Sequence, residues 1–196
     1  MKAKQLLIAL AATMLLGAAM PAQAQKKKVK KAKPENTQIQ ITIPGELGMF
    51  DLRGPVKECK VVSGEETKVY GFDTNGMWTT EDGQSITEMY GNALHRDSKG
   101  RITMIGDVEE NRKYQYNANG FVTKFEQQYM SGGYTVKYTY NSKGECIKTA
   151  EKGSDMGESF TSTSKYTILA RDEQGNWTKR KSNHGFTETR TITYYE

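Results

Sequence analysis

Five short stretches along the chain set its fold class: Asp73-Thr-Asn-Gly76, Asp97-Ser-Lys-Gly100, Asn117-Ala-Asn-Gly120, Asn141-Ser-Lys-Gly144 and Asp172-Glu-Gln-Gly175. An Asp or Asn in first position can accept hydrogen bonds from the amides of its own turn. Glycine in fourth position enters the left-handed region without a Cβ clash. This is the chemistry of a type I turn closed by a G1 bulge, a common link between antiparallel strands.

The flanking residues repeat in register. Three residues before each Asp or Asn stand Tyr70, Leu94, Tyr114, Tyr138 and Leu169; two after each glycine stand Trp78, Ile102, Val122, Cys146 and Trp177. Threonine follows in four copies (Thr79, Thr103, Thr123, Thr178), which we read as strand preference, since β-branched side chains suit a pleated surface. Asp51-Leu-Arg-Gly54, leading to Val56, reads as a looser sixth copy.

Return turns alternate with these copies: "SGEE" at 63, "EDGQ" at 81, "GDVEEN" at 106, "SGG" at 131, "KGSDMGE" at 152 and Ser182-Asn-His-Gly185. Short strands with turn cues about every 8–12 residues predict an all-β fold. We expect an up-and-down antiparallel meander of about 12–13 strands, opened by the alternating "TQIQITI" at 37–43. So many strands accumulate twist and leave exposed edges, so the sheet is expected to curl into a barrel or roll. No stretch beyond the first 24 residues shows a helical period.

The ends of the chain differ in character from the repeats. Lys2 and Lys4 precede an apolar run from Leu6 to Met20, and "PAQAQ" supplies the small-x-small pattern of a signal peptidase site. We expect cleavage after Ala24 and export to the periplasm or beyond. With no cysteine at that site, lipoprotein anchoring is not expected. Residues 25–36 are expected to be a disordered leader in which Lys26, Lys27, Lys28, Lys30, Lys31 and Lys33 give weak attraction to anionic surfaces. Residues 37–196 are then one domain. The formal charge of +5 belongs to the first 33 residues: from Pro34 onward there are 20 Lys and Arg against 23 Asp and Glu. That balance argues against nucleic acid as a partner.

Tyr-x-Tyr-Asn-x-x-Gly at 114–120 and 138–144, with "RDSKGRIT" at 96–103, resembles the YD (RHS-type) repeats of bacterial cell-surface and secreted proteins. The likeness runs over about residues 68–182. The dipeptides here are Phe-Asp, Arg-Asp, Tyr-Asn, Tyr-Asn and Arg-Asp, and only Gly100-Arg101 keeps the family's Gly-Arg. The resemblance implies hairpin architecture and an envelope setting. Large members build β-cocoons around toxins, and some are associated with carbohydrate binding.

Signals for catalysis are sparse. The two histidines, His95 and His184, fall at turns, and no metal-ligand spacing accompanies them. Asp73 and Asn75 fit an Asx turn better than a calcium loop. No G-x-S-x-G occurs, and the serines of "ESFTSTSKY" at 158–166 read as a polar strand face. The acidic pairs Glu65/Glu66, Glu81/Asp82 and Glu109/Glu110 fall in predicted return turns, where adjacent acids are solvated. No enzyme activity, cofactor or metal is expected. Cys59 and Cys146 are compatible with either an exported disulfide or two buried thiols.

The aromatic residues remain as the binding candidates. Tyr114, Tyr116, Tyr138 and Tyr140 recur at equivalent places, as do Trp78 and Trp177; such a ladder serves either as core or as a stacking surface for sugar rings or a peptide. The expected function is non-enzymatic binding to polysaccharide or to a protein surface. The rivals are assembly by sheet-edge pairing, with "TQIQITI" or "TRTITYY" as edges, and a hydrolase hidden from sequence motifs.

Overall fold

The structure, a computed structural model, describes residues 41–196. The expected signal peptide, the expected lysine-rich leader and residues 37–40 of the expected first strand lie outside them. Thirteen strands follow in chain order: β1 (Val56–Ser63), β2 (Glu66–Phe72), β3 (Trp78–Glu81), β4 (Gln84–Ser85), β5 (Leu94–Arg96), β6 (Ile102–Gly106), β7 (Asn111–Tyr116), β8 (Val122–Tyr129), β9 (Gly132–Tyr140), β10 (Cys146–Asp155), β11 (Glu158–Arg171), β12 (Trp177–Ser182) and β13 (Thr187–Tyr194). All pair antiparallel in one sheet, as the turn pattern predicts, in the order β4-β3-β2-β1-β13-β12-β11-β10-β9-β8-β7-β6-β5. One five-residue helix, α1 (Ile86–Tyr90), lies between β4 and β5, too short to leave a period in the sequence.

Two expectations about the edges are corrected. Ile41–Ile43 form no strand; the Ile43 amide bonds to Asn119 O at 2.8 Å and Ile41 O accepts from Asn119 Nδ2 at 3.0 Å. "TRTITYY" falls in β13, which the strand order places inside the sheet, paired by β1 from Glu188 to Tyr194 and by β12 at Thr187–Thr189. The terminal strands of the sheet are instead β4 and β5, which α1 links along the chain.

Each repeat turn has one construction. Gly76, Gly100, Gly120, Gly144 and Gly175 donate to the carbonyl three residues back, and the leading Asp or Asn amide bonds to the carbonyl after the glycine. The leading side chain's Oδ1 collects amides from within the turn, as Asp73 does from Asn75 and Met77 at 2.9 Å each. Beyond every turn one residue is left over from the ladder. Gly71 pairs Thr80 and Phe72 pairs Trp78, so Thr79 is extra; Thr103, Thr123, Ile147 and Thr178 are extra in the same way. The recurring threonine is thus a β-bulge residue more than a strand former. Thr103 and Thr123 donate their hydroxyls to His95 O and Gln115 O on the partner strand, and the bulge sharpens local twist.

The five turns all close the same end of the strands, and residues 41–55 fill that end. Phe50 packs on Tyr70, Phe72 and Trp78 with ring centroids 4.7–5.4 Å apart. Leu47 and Leu52 are buried beside it; burying each such side chain stabilises by roughly 1.5–3 kcal/mol. The backbone meets the turns directly: the Glu46 amide bonds to Gly76 O, and a Cβ on Gly48 would lie 2.1 Å from Gly120 O. A 13-stranded meander can bring all five turns to one 15-residue segment only by curling. The looser sixth copy is therefore not a hairpin turn. Asp51, with φ 56°, belongs to this filling segment and is buried.

Candidate functional site

The filling segment carries two buried carboxylates that serve the residue two past the glycine in four of the five repeats, through its amide or, at Trp177, through its indole. Glu46 accepts from the Trp78 amide at 2.6 Å and the Ile102 amide at 2.8 Å, and pairs with Arg96. Asp51 accepts from the Cys146 amide at 3.1 Å and from Trp177 Nε1 at 2.8 Å. Burial pushes both carboxyls up; the two amides and Arg96 oppose this at Glu46, and Arg190 and Arg180 at Asp51. Arg180 lies between the rings of Tyr166 and Trp177, 4.1 Å from each, and Arg190 lies 3.5 Å over Trp177. Arg180 also pairs with Glu188 at 2.5 Å. This network ties the filling segment to the sheet, and its charges are occupied with one another.

The sequence-derived aromatic candidates lie on the inner side. Trp78 and Trp177 are 3% and 1% exposed. Burial raises the phenol pKa of Tyr114, Tyr116, Tyr138 and Tyr140. The second tyrosine of each Tyr-x-Tyr-Asn reaches back one repeat: Tyr116 donates to Ile102 O and Tyr140 to Val122 O, both at 2.8 Å. Tyr114 packs on Phe125 with centroids 5.2 Å apart. A sugar ring reaches the tryptophans only by unpacking the shell, so the rings that repeat most regularly hold neighbouring hairpins together.

The cysteines are two buried free thiols, not a disulfide. Four inter-strand steps, β1-β13-β12-β11-β10, separate them along the sheet. Burial pushes the Cys59 thiol up and the Cys146 thiol up to about 12. Glu81, expected to be solvated in a return turn, is buried and pairs with Lys68 at 3.3 Å. His95 lies exposed on β5, and His184 Nε2 is 3.1 Å from Thr163 O. No group of three or more metal-ligating side chains converges among the described residues.

The outer face offers the accessible site. Cross-strand register sorts β7–β11 into two faces. Tyr114, Phe125, Val136 and Glu151 share one row and Arg112, Gln127, Tyr134, Gly153 and Phe160 another, which together form the inner side. The rows between point outward: Lys113-Glu126-Thr135-Lys152, Lys124-Lys137-Ala150 and Asn111-Gln128-Gly133-Ser154-Ser159. Together with Gln127, Tyr134, Glu151 and Gly153 they line a concave groove of about 840 Å³. Lys124 and Lys137 are direct register partners, as are Lys148 and Lys165 on the same face. Like charges placed opposite one another destabilise a sheet by up to about 1 kcal/mol. Only Glu126, 2.7 Å from Lys124, offsets charge among those rows. Sequence reasoning missed this face because the lysines are scattered between residues 113 and 165; only register, set by the bulges, gathers them.

The sequence profile of the teneurin YD-shell family matches residues 49–157, just over half of the chain. No curated protein matches the sequence.

Proposed function

The chain belongs to the teneurin YD-shell family, and from that premise we propose that it is an exported, non-enzymatic β-repeat module binding acidic polysaccharide across the outer face of β7–β11. The observation that carries this is two facing lysine pairs on one sheet face, Lys124/Lys137 lining the groove and Lys148/Lys165 beside it. Repulsion of that kind is a cost to the fold, and a polyanion lying across the lysines relieves it. Gln128, Thr135, Ser154 and Ser159 add amide and hydroxyl partners suited to sugar hydroxyls. Export rests on the sequence of residues 1–24, and the lysines of 25–33 add salt-sensitive attraction.

The test is Lys137→Glu in the mature chain, residues 25–196. It converts a repulsive cross-strand pair into an attractive one, so stability should rise by about 0.5 kcal/mol or more while binding to polygalacturonate falls. Neutral dextran and single-stranded DNA serve as comparison ligands. Unchanged polygalacturonate binding, or stronger binding to DNA, overturns the reading.

A further inference from the structure

β11 is the longest strand, fourteen residues, and its two halves are paired on opposite sides, the first by β10 and the second by β12. β10 pairs it from Glu158 to Lys165, but β12 begins pairing only at Tyr166, opposite Ser182. The backbone groups on the β12 side of the first half can be identified by alternation. Lys165 directs both groups to that side, since Lys165 O accepts from the Asn183 amide and Lys165 N donates to Asn183 Oδ1. Two residues earlier, Thr163 O meets Asn183 Nδ2 and His184 Nε2. In an antiparallel ladder this alternates with period two. The amides and carbonyls of Ser159 and Thr161, and the amide of Thr163, therefore face outward along an edge that no described strand pairs.

We propose that this edge, Glu158 to Thr163, is a docking site for an extended peptide segment of a partner protein, added as a strand in line with β12. Backbone groups in this pattern are satisfied only by water or by another extended strand. The edge carries none of the usual protection: it has no proline, no bulge and no lysine. Its length, about 17–20 Å, suits five or six residues of a single strand. The β12–β13 turn at Asn183–His184 bounds one end, and the Met156–Gly157 turn bounds the other. A slot closed at one end by that turn favours a lone strand over the edge of a second copy. Phe160, on the inner face and part-exposed, offers the alternate-side-chain contact, so an aromatic or β-branched peptide residue is expected there.

The experiment is a selection of displayed ten-residue peptides on residues 25–196, with subtraction on Thr161→Pro. The Thr161 amide points away from β10, so proline there removes no existing ladder bond; unchanged thermal unfolding checks this. Hydrogen exchange of the wild type gives a second reading that needs no variant. The Ser159 and Thr161 amides should exchange fast in the free chain and slow with a selected peptide bound, while those of Phe160 and Ser162, turned toward β10, stay slow throughout. Selected peptides should bind Thr161→Pro about tenfold or more weakly and bind Lys137→Glu as well as wild type. That last comparison keeps the peptide site separate from the polysaccharide face. Slow exchange of Ser159 and Thr161 in the free chain at low concentration overturns the free edge. Concentration-dependent protection with dimerisation assigns it to a second copy and overturns the peptide site. Failure to enrich any peptide over the Thr161→Pro background overturns the proposal outright.

Discussion

The two ends of this sheet are made from the same strands and could hardly be more different. At the repeat-turn end, residues 41–55 enter the curl, and buried Glu46 and Asp51 accept amides from repeats far apart in sequence. At the return-turn end, consecutive tips carry Val108, Met130 and Met156, each 85–89% exposed. The register brings these tips nearly level, and the Met156 amide bonds to Ser131 O across two of them. One end joins many hairpins through a few buried charges. The other links only neighbouring tips, through bonds such as that between Met156 and Ser131. Changes at the first end should therefore be felt by the whole fold, and changes at the second only locally.

Asp51→Ala tests that contrast most severely. It leaves the buried guanidiniums of Arg180 and Arg190 short of a counter-charge and orphans the Cys146 amide and Trp177 Nε1. We expect a loss of about 3–5 kcal/mol in urea unfolding. A loss below that of any tip substitution breaks the comparison.

Glycines sharpen it next. Gly48→Ala drives a methyl to within 2.1 Å of Gly120 O, backbone that cannot step aside alone. Gly157 sits at a tip with φ +86°, and a methyl there would enter open space with nothing within 4 Å, so alanine costs only conformational strain. Gly48→Ala should destabilise by roughly 1–3 kcal/mol or more and shift amide resonances in the 117–121 turn. Gly157→Ala should cost about 1 kcal/mol, with shifts confined to its own hairpin.

Much of this architecture can be read from the sequence, because turn chemistry is local. The Asp/Asn-x-x-Gly signal, the strand count and the recurrence of the tyrosines follow from residues within a few positions of one another; which side the tyrosines face does not. The filling segment does not follow. Glu46 and Asp51 act on amides and an indole 32 to 126 positions away, and nothing periodic marks residues 41–55. The outer lysines escape for the same reason: Lys124 and Lys137 become neighbours only once bulges such as Thr123 set the register. Local pattern also points to the ends of the repeat region for a free edge, whereas the topology places β13 inside the sheet and leaves the first half of β11 without a partner on its β12 side.

Smaller effects separate links between repeats from features of single tips. Tyr140→Phe removes one bond to Val122 O while keeping the ring against Phe121, so a cost of about 1 kcal/mol is expected in the same unfolding assay. Met156 holds φ 48°, a region Asn adopts more readily. Met156→Asn should stabilise by about 0.5 kcal/mol, the reverse sign.

The finest test uses pH, because carboxyls of the two kinds pull in opposite directions. At Glu145 burial raises the pKa, but Arg171 and Asn141 outweigh it and hold the carboxyl below its usual value. The folded state therefore keeps that site ionised after the unfolded chain has begun to take up a proton. Its contribution is present above about pH 4.5 and is lost as pH falls through the depressed folded pKa. Glu46 and Asp51 are raised, so the folded chain holds protons there longer than the unfolded chain, and their contribution weakens as pH climbs above the ordinary carboxylate range. Glu145→Gln should then flatten the acid limb of the stability profile below about pH 4.5 while leaving the slope above it unchanged. A change confined to the higher range would place the sensitivity in the filling segment, and Glu145 would no longer count as an independent anchor.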